Sequence, residues 1–319
     1  MDISVVIPLY NEQESLGELS EWIERVMHEN SFSYEIIFVD DGSTDRSWEI
    51  IKNLASDNES VRAIRFRRNY GKSAALYSGF KVAEGEVVIT MDADMQDDPD
   101  EIPELYNMVK KQGYDLVSGW KKNRDDPPGK KIPSRFFNYT ARIVTGISLN
   151  DFNCGLKAYR NEVIKRIEVY GEMHRYIPIL VKNAGFTNIG EKVVRHRKRK
   201  YGVTKFGMER FINGFLDLLS LTFVSRFGKR PMHLFGSLGT LMFLFGFISA
   251  VYLGGMKLML LSQGIRAPLL TDSPYFYLSL TAMILGTQLF LSGFLGELIS
   301  RNSPFKDTYE IEQQINIQP

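Results

Sequence analysis

The sequence predicts an α/β domain built on a mostly parallel sheet, followed by two membrane-spanning helices. Three observations predict it: strand-like apolar runs alternate with helical segments up to about residue 225, polar and acidic residues gather directly after those runs, and two long uncharged stretches lie near the C-terminus. A chain of 319 residues, 44% hydrophobic and 24% charged, has room for one substantial domain and a further element.

Residues 3–9 and 35–39 read as buried strands with an amphipathic helix over 16–28 between them, which makes a βαβ unit. A helix over 47–55 leads to a strand over 61–66, a helix over 73–83 and a strongly apolar strand over 87–91, with another strand at 116–118. Strands separated by helices imply parallel pairing through right-handed crossovers. In such sheets ligands bind beyond the carboxyl ends of the strands. Residues 125–133, rich in Pro, Gly and charge, mark a loop, and 134–147 reads as a helix with Phe136, Phe137, Ile143 and Val144 among basic residues. Residues 206–227 form a second, aromatic-rich candidate helix. Each of these two lies in a lipid interface or packs as a core helix, and the sequence leaves both readings open.

Residues 234–256 and 274–296 are each 23 residues without a charge, longer than the roughly 20 needed to cross a bilayer core. Arg226, Lys229 and Arg230 precede the first stretch and Arg301 and Lys306 follow the second, whereas the connection carries Lys257, Arg266 and Asp272. The positive-inside bias places both termini in the cytoplasm. The N-terminus enters an apolar strand without a basic leader or cleavage site, so no signal peptide is expected. The single Cys154 excludes an intramolecular disulfide and fits a reducing compartment. A formal net charge of +1 argues for no polyanionic partner, and nucleic acid is not expected.

Asp92-Ala93-Asp94 after an apolar strand is the sharpest motif. Two carboxylates at i and i+2 of a turn face one site, and hard oxygen ligands suit Mg²⁺ or Mn²⁺ bridging a diphosphate. The structural alternative is an acidic surface turn. Asp40-Asp41-Gly42-Ser43-Thr44-Asp45 admits a helix cap by Ser43 or Thr44 and also a carboxylate that reads a base or ribose. Gly71-Lys72-Ser73 looks like the tail of a phosphate loop, but Phe66 stands where the earlier glycine is required. No G-x-G-x-x-G follows the first strand, which argues against a dinucleotide oxidoreductase. The basic run Arg195 to Lys200 is read as attraction to anionic headgroups or a lipid phosphate, or as a solvated basic strand.

Together, Pro8-Leu9-Tyr10-Asn11-Glu12, the Asp40 to Asp45 segment, Arg68-Asn69-Tyr70-Gly71-Lys72 and Asp92-Ala93-Asp94-Met95-Gln96 resemble family 2 glycosyltransferases of the GT-A fold. More narrowly, the chain is similar to the dolichyl-phosphate mannose synthase and bacterial polyprenyl-phosphate glycosyltransferase branch, and the likeness covers nearly the whole sequence. It implies a Rossmann-like GT-A catalytic domain over 1–205, a juxtamembrane amphipathic helix over 206–231, a two-helix transmembrane region over 232–302 and a cytoplasmic tail over 303–319. The implied location is the bacterial inner membrane, with the catalytic domain cytoplasmic, and the implied assembly is a homo-tetramer.

The resemblance also implies roles. Pro8, Tyr10, Glu12, Asp40, Asp41, Lys72 and Asp92 would hold the donor nucleotide, a UDP-sugar in the first instance and a GDP-sugar in the second. Asp92, Asp94 and Gln96 would hold Mg²⁺ or Mn²⁺, with Asp94 and Asp151 at the reaction centre. Lys121, Arg124, Lys131, Arg135, Arg197 and Lys205 would meet the phosphate of a polyprenyl phosphate acceptor. The Q-x-x-R-W sequence of processive synthases is absent, so transfer of one sugar with inversion is expected. A diacylglycerol or nascent glycan is the alternative acceptor; outside enzymes, a membrane scaffold or transporter subunit is disfavoured by the acidic turn and the uncharged spans.

Overall fold

The computed structural model describes residues 1–122, 138–139, 141–142, 145–171, 173–197, 200, 231–266, 268–302 and 311–316. Two compact units emerge, one holding a sheet and one holding a helical pair.

The sheet unit runs β1 (Ile3–Leu9), α1 (Leu16–Glu29), β2 (Tyr34–Asp40), α2 (Ser47–Asp57), β3 (Val61–Phe66), α3 (Lys72–Val82), β4 (Val87–Thr90), α4 (Ile102–Lys110), β5 (Leu116–Trp120), β6 (Lys157–Arg160), α5 (Asn161–Arg166), α6 (Ile177–Asn183) and β7 (Ile189–Val193). The strand order is β7-β5-β6-β4-β1-β2-β3, with a further strand β8 (Ile311–Ile315) beyond β3. Strands β3, β2, β1 and β4 are mutually parallel, as the βαβ alternation requires, and β6 enters antiparallel between β4 and β5.

The runs are mostly apolar because both faces of the central strands are covered, and the buried exceptions Ser4, Glu35 and Arg62 are bonded to one another. Ile3, Val5 and Ile7 pack with Leu19 and Ile23 of α1, Ile51 of α2 and Leu105 of α4. Their neighbours Val6, Ile37 and Val39 point the other way, toward Leu76 and Phe80 of α3, Val163 of α5 and Val181 of α6. Strand β8 lies within the segment expected as a tail. It pairs antiparallel with β3, and the Trp48 indole N–H donates to Gln313 Oε1 at 2.8 Å. The edge of β3 is thereby covered.

The second unit holds α7 (Pro231–Ser262) and α8 (Pro274–Asn302). Both are long and apolar enough to cross a membrane, over Met232–Ser262 and Pro274–Ile299. They meet through small residues: a Cβ on Gly239 would lie 2.5 Å from the Gly286 carbonyl oxygen, so only glycine permits this approach. Leu241, Phe245 and Ile248 remain exposed, as lipid-facing side chains would. Of the helix expected at 134–147, residues 138–139, 141–142 and 145 are helical. The candidate helix at 206–227 lies outside the described residues.

Candidate active site

Strand β1 has β2 on one side and β4 on the other, all parallel, so the chain winds away in opposite directions from the gap between β1 and β4. That gap is the topological switch point, where open α/β sheets bind ligands. A narrow cavity there brings Pro8, Lys72 and Asp92 together with Asn153, Lys157 and His174.

On the β1–β2 side the two loops are tied to one another. Asn11, at φ 55°, donates its N–H to Ser43 Oγ at 2.9 Å, and Glu12 N–H donates to Ser47 Oγ at 3.0 Å. Neither Ser43 nor Thr44 caps α2, contrary to the structural expectation. The Ser43 hydroxyl instead serves Asn11, the N-cap position of α2 is Arg46, and Asp45 accepts the Ser47 N–H at 3.0 Å. Asp40, fully buried, accepts the Ser43 N–H at 2.9 Å and lies 3.5 Å from Arg65 Nε. Asp41 accepts the Tyr70 N–H at 2.7 Å and the Gly71 N–H at 2.9 Å, which holds the loop before α3. Burial pushes the Asp41 carboxyl up to about 6 against those two bonds. Tyr10 and Glu12 are half-buried in the same loop.

On the β4 side, charge meets charge. Lys72, the first residue of α3, forms an ion pair with Asp92. Burial opposes ionisation of Asp92, but the ammonium groups of Lys72, Lys121 and Lys157 outweigh it and hold the carboxyl below its usual range. Lys121 pairs with buried Asp97 at 2.8 Å, and Arg197 reaches Asp98 Oδ2 at 3.2 Å while stacking on Trp22, 4.1 Å from the ring centroid. Two cations expected at the acceptor phosphate are thus already paired with carboxylates of the acidic turn, and a phosphate competes for them. Asp94 is buried and accepts the Gln96 N–H at 3.2 Å across the turn formed by Met95 at φ 61°.

Gly155 closes the site from β6. A Cβ there would lie 2.6 Å from the Asp92 carboxylate, so the backbone passes where a side chain would displace that group. Among the described residues no group of three or more His, Cys, Asp or Glu side chains is arranged around one point. The acidic turn nevertheless fits a divalent ion as part of a ligand set, since it offers hard oxygens and already draws a cation onto Asp92, provided phosphate oxygens of a donor complete the shell.

Asp151 is buried in the loop between the helical residue Thr145 and β6, and its Oδ1 accepts the Asn153 N–H at 3.1 Å. It is therefore two residues from a lining residue of the cavity. Arg124, Lys131, Arg135 and Lys205 lie outside the described residues. Sequence reasoning passed over Lys157, His174 and the pairing of Asp97 and Asp98. A lysine inside the short buried strand β6, two residues after Gly155, was the signal for the first; His174, which bonds to Ser73 at 3.1 Å across 101 residues, had none.

A family model described as "Glycosyl transferase family 2" matches residues 4–168, just over half of the chain. The chain belongs to glycosyl transferase family 2. This glycosyltransferase is 36% identical over 304 residues to a dodecaprenyl-phosphate galacturonate synthase of Rhizobium johnstonii, covering 94% of this chain and 88% of the relative. It is 38% identical over 300 residues to an undecaprenyl-phosphate 4-deoxy-4-formamido-L-arabinose transferase of Edwardsiella ictaluri, covering 94% and 89%. Among solved structures, glucosyl-3-phosphoglycerate synthase from Mycobacterium tuberculosis in complex with Mn²⁺, UDP-glucose and glycerol 3-phosphate superposes with a TM-score of 0.52 at 20% identity, over 70% of this chain and 79% of that one. The sheet unit of this glycosyltransferase has the GT-A fold.

Proposed function

We propose that this glycosyltransferase moves one sugar from a nucleotide-sugar to a polyprenyl phosphate, with inversion, at the cytoplasmic face of a bacterial inner membrane. The observation that carries the acceptor class is similarity over 94% of the chain, a span that takes in most of both apolar helices, to proteins named for sugar transfer to polyprenyl phosphates. An isoprenoid acceptor stays in the bilayer, which accounts for a nucleotide-type domain continuous in sequence with α7 and α8. The excess of Lys and Arg outside the connection between them supports cytoplasmic termini.

Within this reading Pro8, Tyr10 and Glu12 border the nucleoside, and Lys72 turns from Asp92 to the donor diphosphate. Asp94, with Asp92 and Gln96, would hold Mg²⁺ or Mn²⁺, and the ion supplies Lewis-acid stabilisation of the departing nucleoside diphosphate. The acceptor phosphate is anionic at neutral pH, so it needs positioning and screening more than proton removal. Lys121 and Arg197 supply screening by exchanging Asp97 and Asp98 for phosphate oxygens, and Asp151 orients the acceptor by accepting a hydrogen bond from the O–H of its monoanionic phosphate.

The test is incubation of membranes containing the protein with labelled UDP-, GDP- and CMP-sugars and undecaprenyl phosphate. The expected product is an organic-soluble lipid carrying one sugar per phosphate, with a UDP-sugar the preferred donor. Label appearing only in diacylglycerol or in a growing glycan would contradict the acceptor assignment.

A further inference from the structure

The loop carrying Asp151 is held from the sheet by two neighbouring strands. In the parallel pairing of β5 with β7, Ser118 lies beside Glu191, so both side chains project from the same face. Ser118 Oγ donates to the Asp151 carbonyl at 3.2 Å. Glu191 Oε1 accepts the Asp151 N–H at 3.0 Å and the Asn150 N–H at 2.7 Å, and Oε2 accepts the Asn150 side-chain amide at 2.7 Å. Arg142 in turn donates to the Asn150 side-chain oxygen at 3.3 Å. One carboxylate therefore receives three N–H groups from two consecutive residues, while Ser118 takes the carbonyl of the second.

The turn itself does not require this clamp. Asp151 Oδ1 accepts the Asn153 N–H at 3.1 Å, a local Asx turn that sets the shape of residues 151–153. What Glu191 adds is placement of that turn relative to β5 and β7, and it does so as a second carboxylate close to Asp151. Burial and the Asp151 charge both push the Glu191 carboxyl up, whereas the Asn150 and Asp151 donors pull it down.

We propose that Glu191 is a positioning residue for sugar transfer, fixing the backbone of Asn150 and Asp151 so that the Asp151 carboxylate meets the acceptor phosphate in one orientation. This rests on the role given to Asp151 under the proposed function. A displacement of about 1 Å at such a point lowers turnover by about a hundredfold. Glu191 touches neither substrate in this account and acts through Asp151.

The test is a double-mutant cycle on the full-length protein in bilayers, with kcat, acceptor KM, calorimetric affinity for UDP and the unfolding temperature as readouts. Glu191→Ala should lower kcat by about ten- to a hundredfold while UDP affinity stays within about twofold, because the nucleotide residues lie at other strand ends. Glu191→Gln keeps an oxygen for both backbone N–H groups and should hold kcat within about threefold of wild type. In an Asp151→Asn background, Glu191→Ala should have less than about a twofold further effect. Should Glu191→Ala not fold, Asn150→Ala removes the bond to Oε2 together with the one from Arg142 and keeps both backbone bonds to Oε1, and it should lower kcat by about threefold in the wild type and not at all in Asp151→Asn. Wild-type kcat in Glu191→Ala, an undiminished penalty in the Asp151→Asn background, or UDP affinity falling in step with kcat would overturn the proposal. A wild-type rate for Asp151→Asn alone would remove the role of Asp151 itself, and the inference with it. A defective Asp151→Asn beside a fully active Glu191→Ala would remove the inference only.

Discussion

At the end of β2 Asp40 and Asp41 bind chiefly backbone N–H groups, whereas after β4 Asp92, Asp97 and Asp98 also bind the tips of long cationic side chains. Asp40 accepts the Ser43 N–H, and Asp41 accepts those of Tyr70 and Gly71, so their oxygens shape loops. Asp92, Asp97 and Asp98 face Lys72, Lys121 and Arg197. A backbone N–H cannot leave its carboxylate without reshaping the loop. A lysine or arginine can rotate away and be replaced by a metal ion, or can carry its charge to a phosphate. The first region is a fixed wall and the second a set of charges free to exchange partners, as the proposed transfer from a diphosphate would use.

Asp94→Asn should have the largest effect, because it removes a charge from the exchangeable side without altering its size. Turnover should fall about a thousandfold, or about 4 kcal/mol of transition-state stabilisation, in saturating Mn²⁺ or Mg²⁺. Turnover near wild type would remove Asp94 from the reaction centre. Gly155→Ala comes next. Its Cβ would lie 2.6 Å from the Asp92 carboxylate, so kcat should drop by about ten- to a hundredfold while the unfolding temperature changes little. An active Gly155→Ala variant would mean that transfer does not depend on the position of Asp92.

Much of this division was legible in advance. The apolar run of β1 ended where expected, at Leu9, because burial on both faces keeps every position but Ser4 apolar and the first exposed polar groups follow the strand. Asp92 and Asp94 stood out for the complementary reason, charge placed directly after an apolar strand. The partners were not legible. Lys121 and Arg197 meet the acidic turn across 24 and 99 residues, through pairings of β4, β6, β5 and β7 that no local pattern encodes. Strand β8 was hidden for another reason: Ile311-Glu312-Gln313-Gln314-Ile315 is an edge strand whose middle is polar, and such a segment reads as a tail. The hydroxyl of Ser43 looked like a cap candidate, yet it answers the Asn11 N–H of the β1 loop, as Ser47 answers that of Glu12, a demand visible only once the two loops adjoin.

The smallest expected effect concerns pH. Asp41, raised from 3.8 to about 6, keeps its proton in the folded state over a range where the unfolded chain has released it. Stability therefore falls as pH rises from about 4 to about 6 and is level above that. Asp40 and Glu191 are shifted in the same direction by burial. Asp92 has the opposite sign: its lowered pKa contributes stability above about 4 that is lost only as pH falls further. Thermal unfolding of Asp41→Asn should thus show a flatter pH dependence than wild type between pH 4 and 6. Parallel curves would place Asp41 in a wetter setting than its burial indicates.

The contrast between wall and exchangeable charges is tested most directly by calorimetric titration of UDP into the full-length protein, with and without Mn²⁺, for wild type and Asp94→Asn. The account predicts that Mn²⁺ raises the affinity of the wild type by at least about tenfold and leaves that of Asp94→Asn unchanged. Equal affinity of the wild type with Mn²⁺ and with a chelator would contradict it.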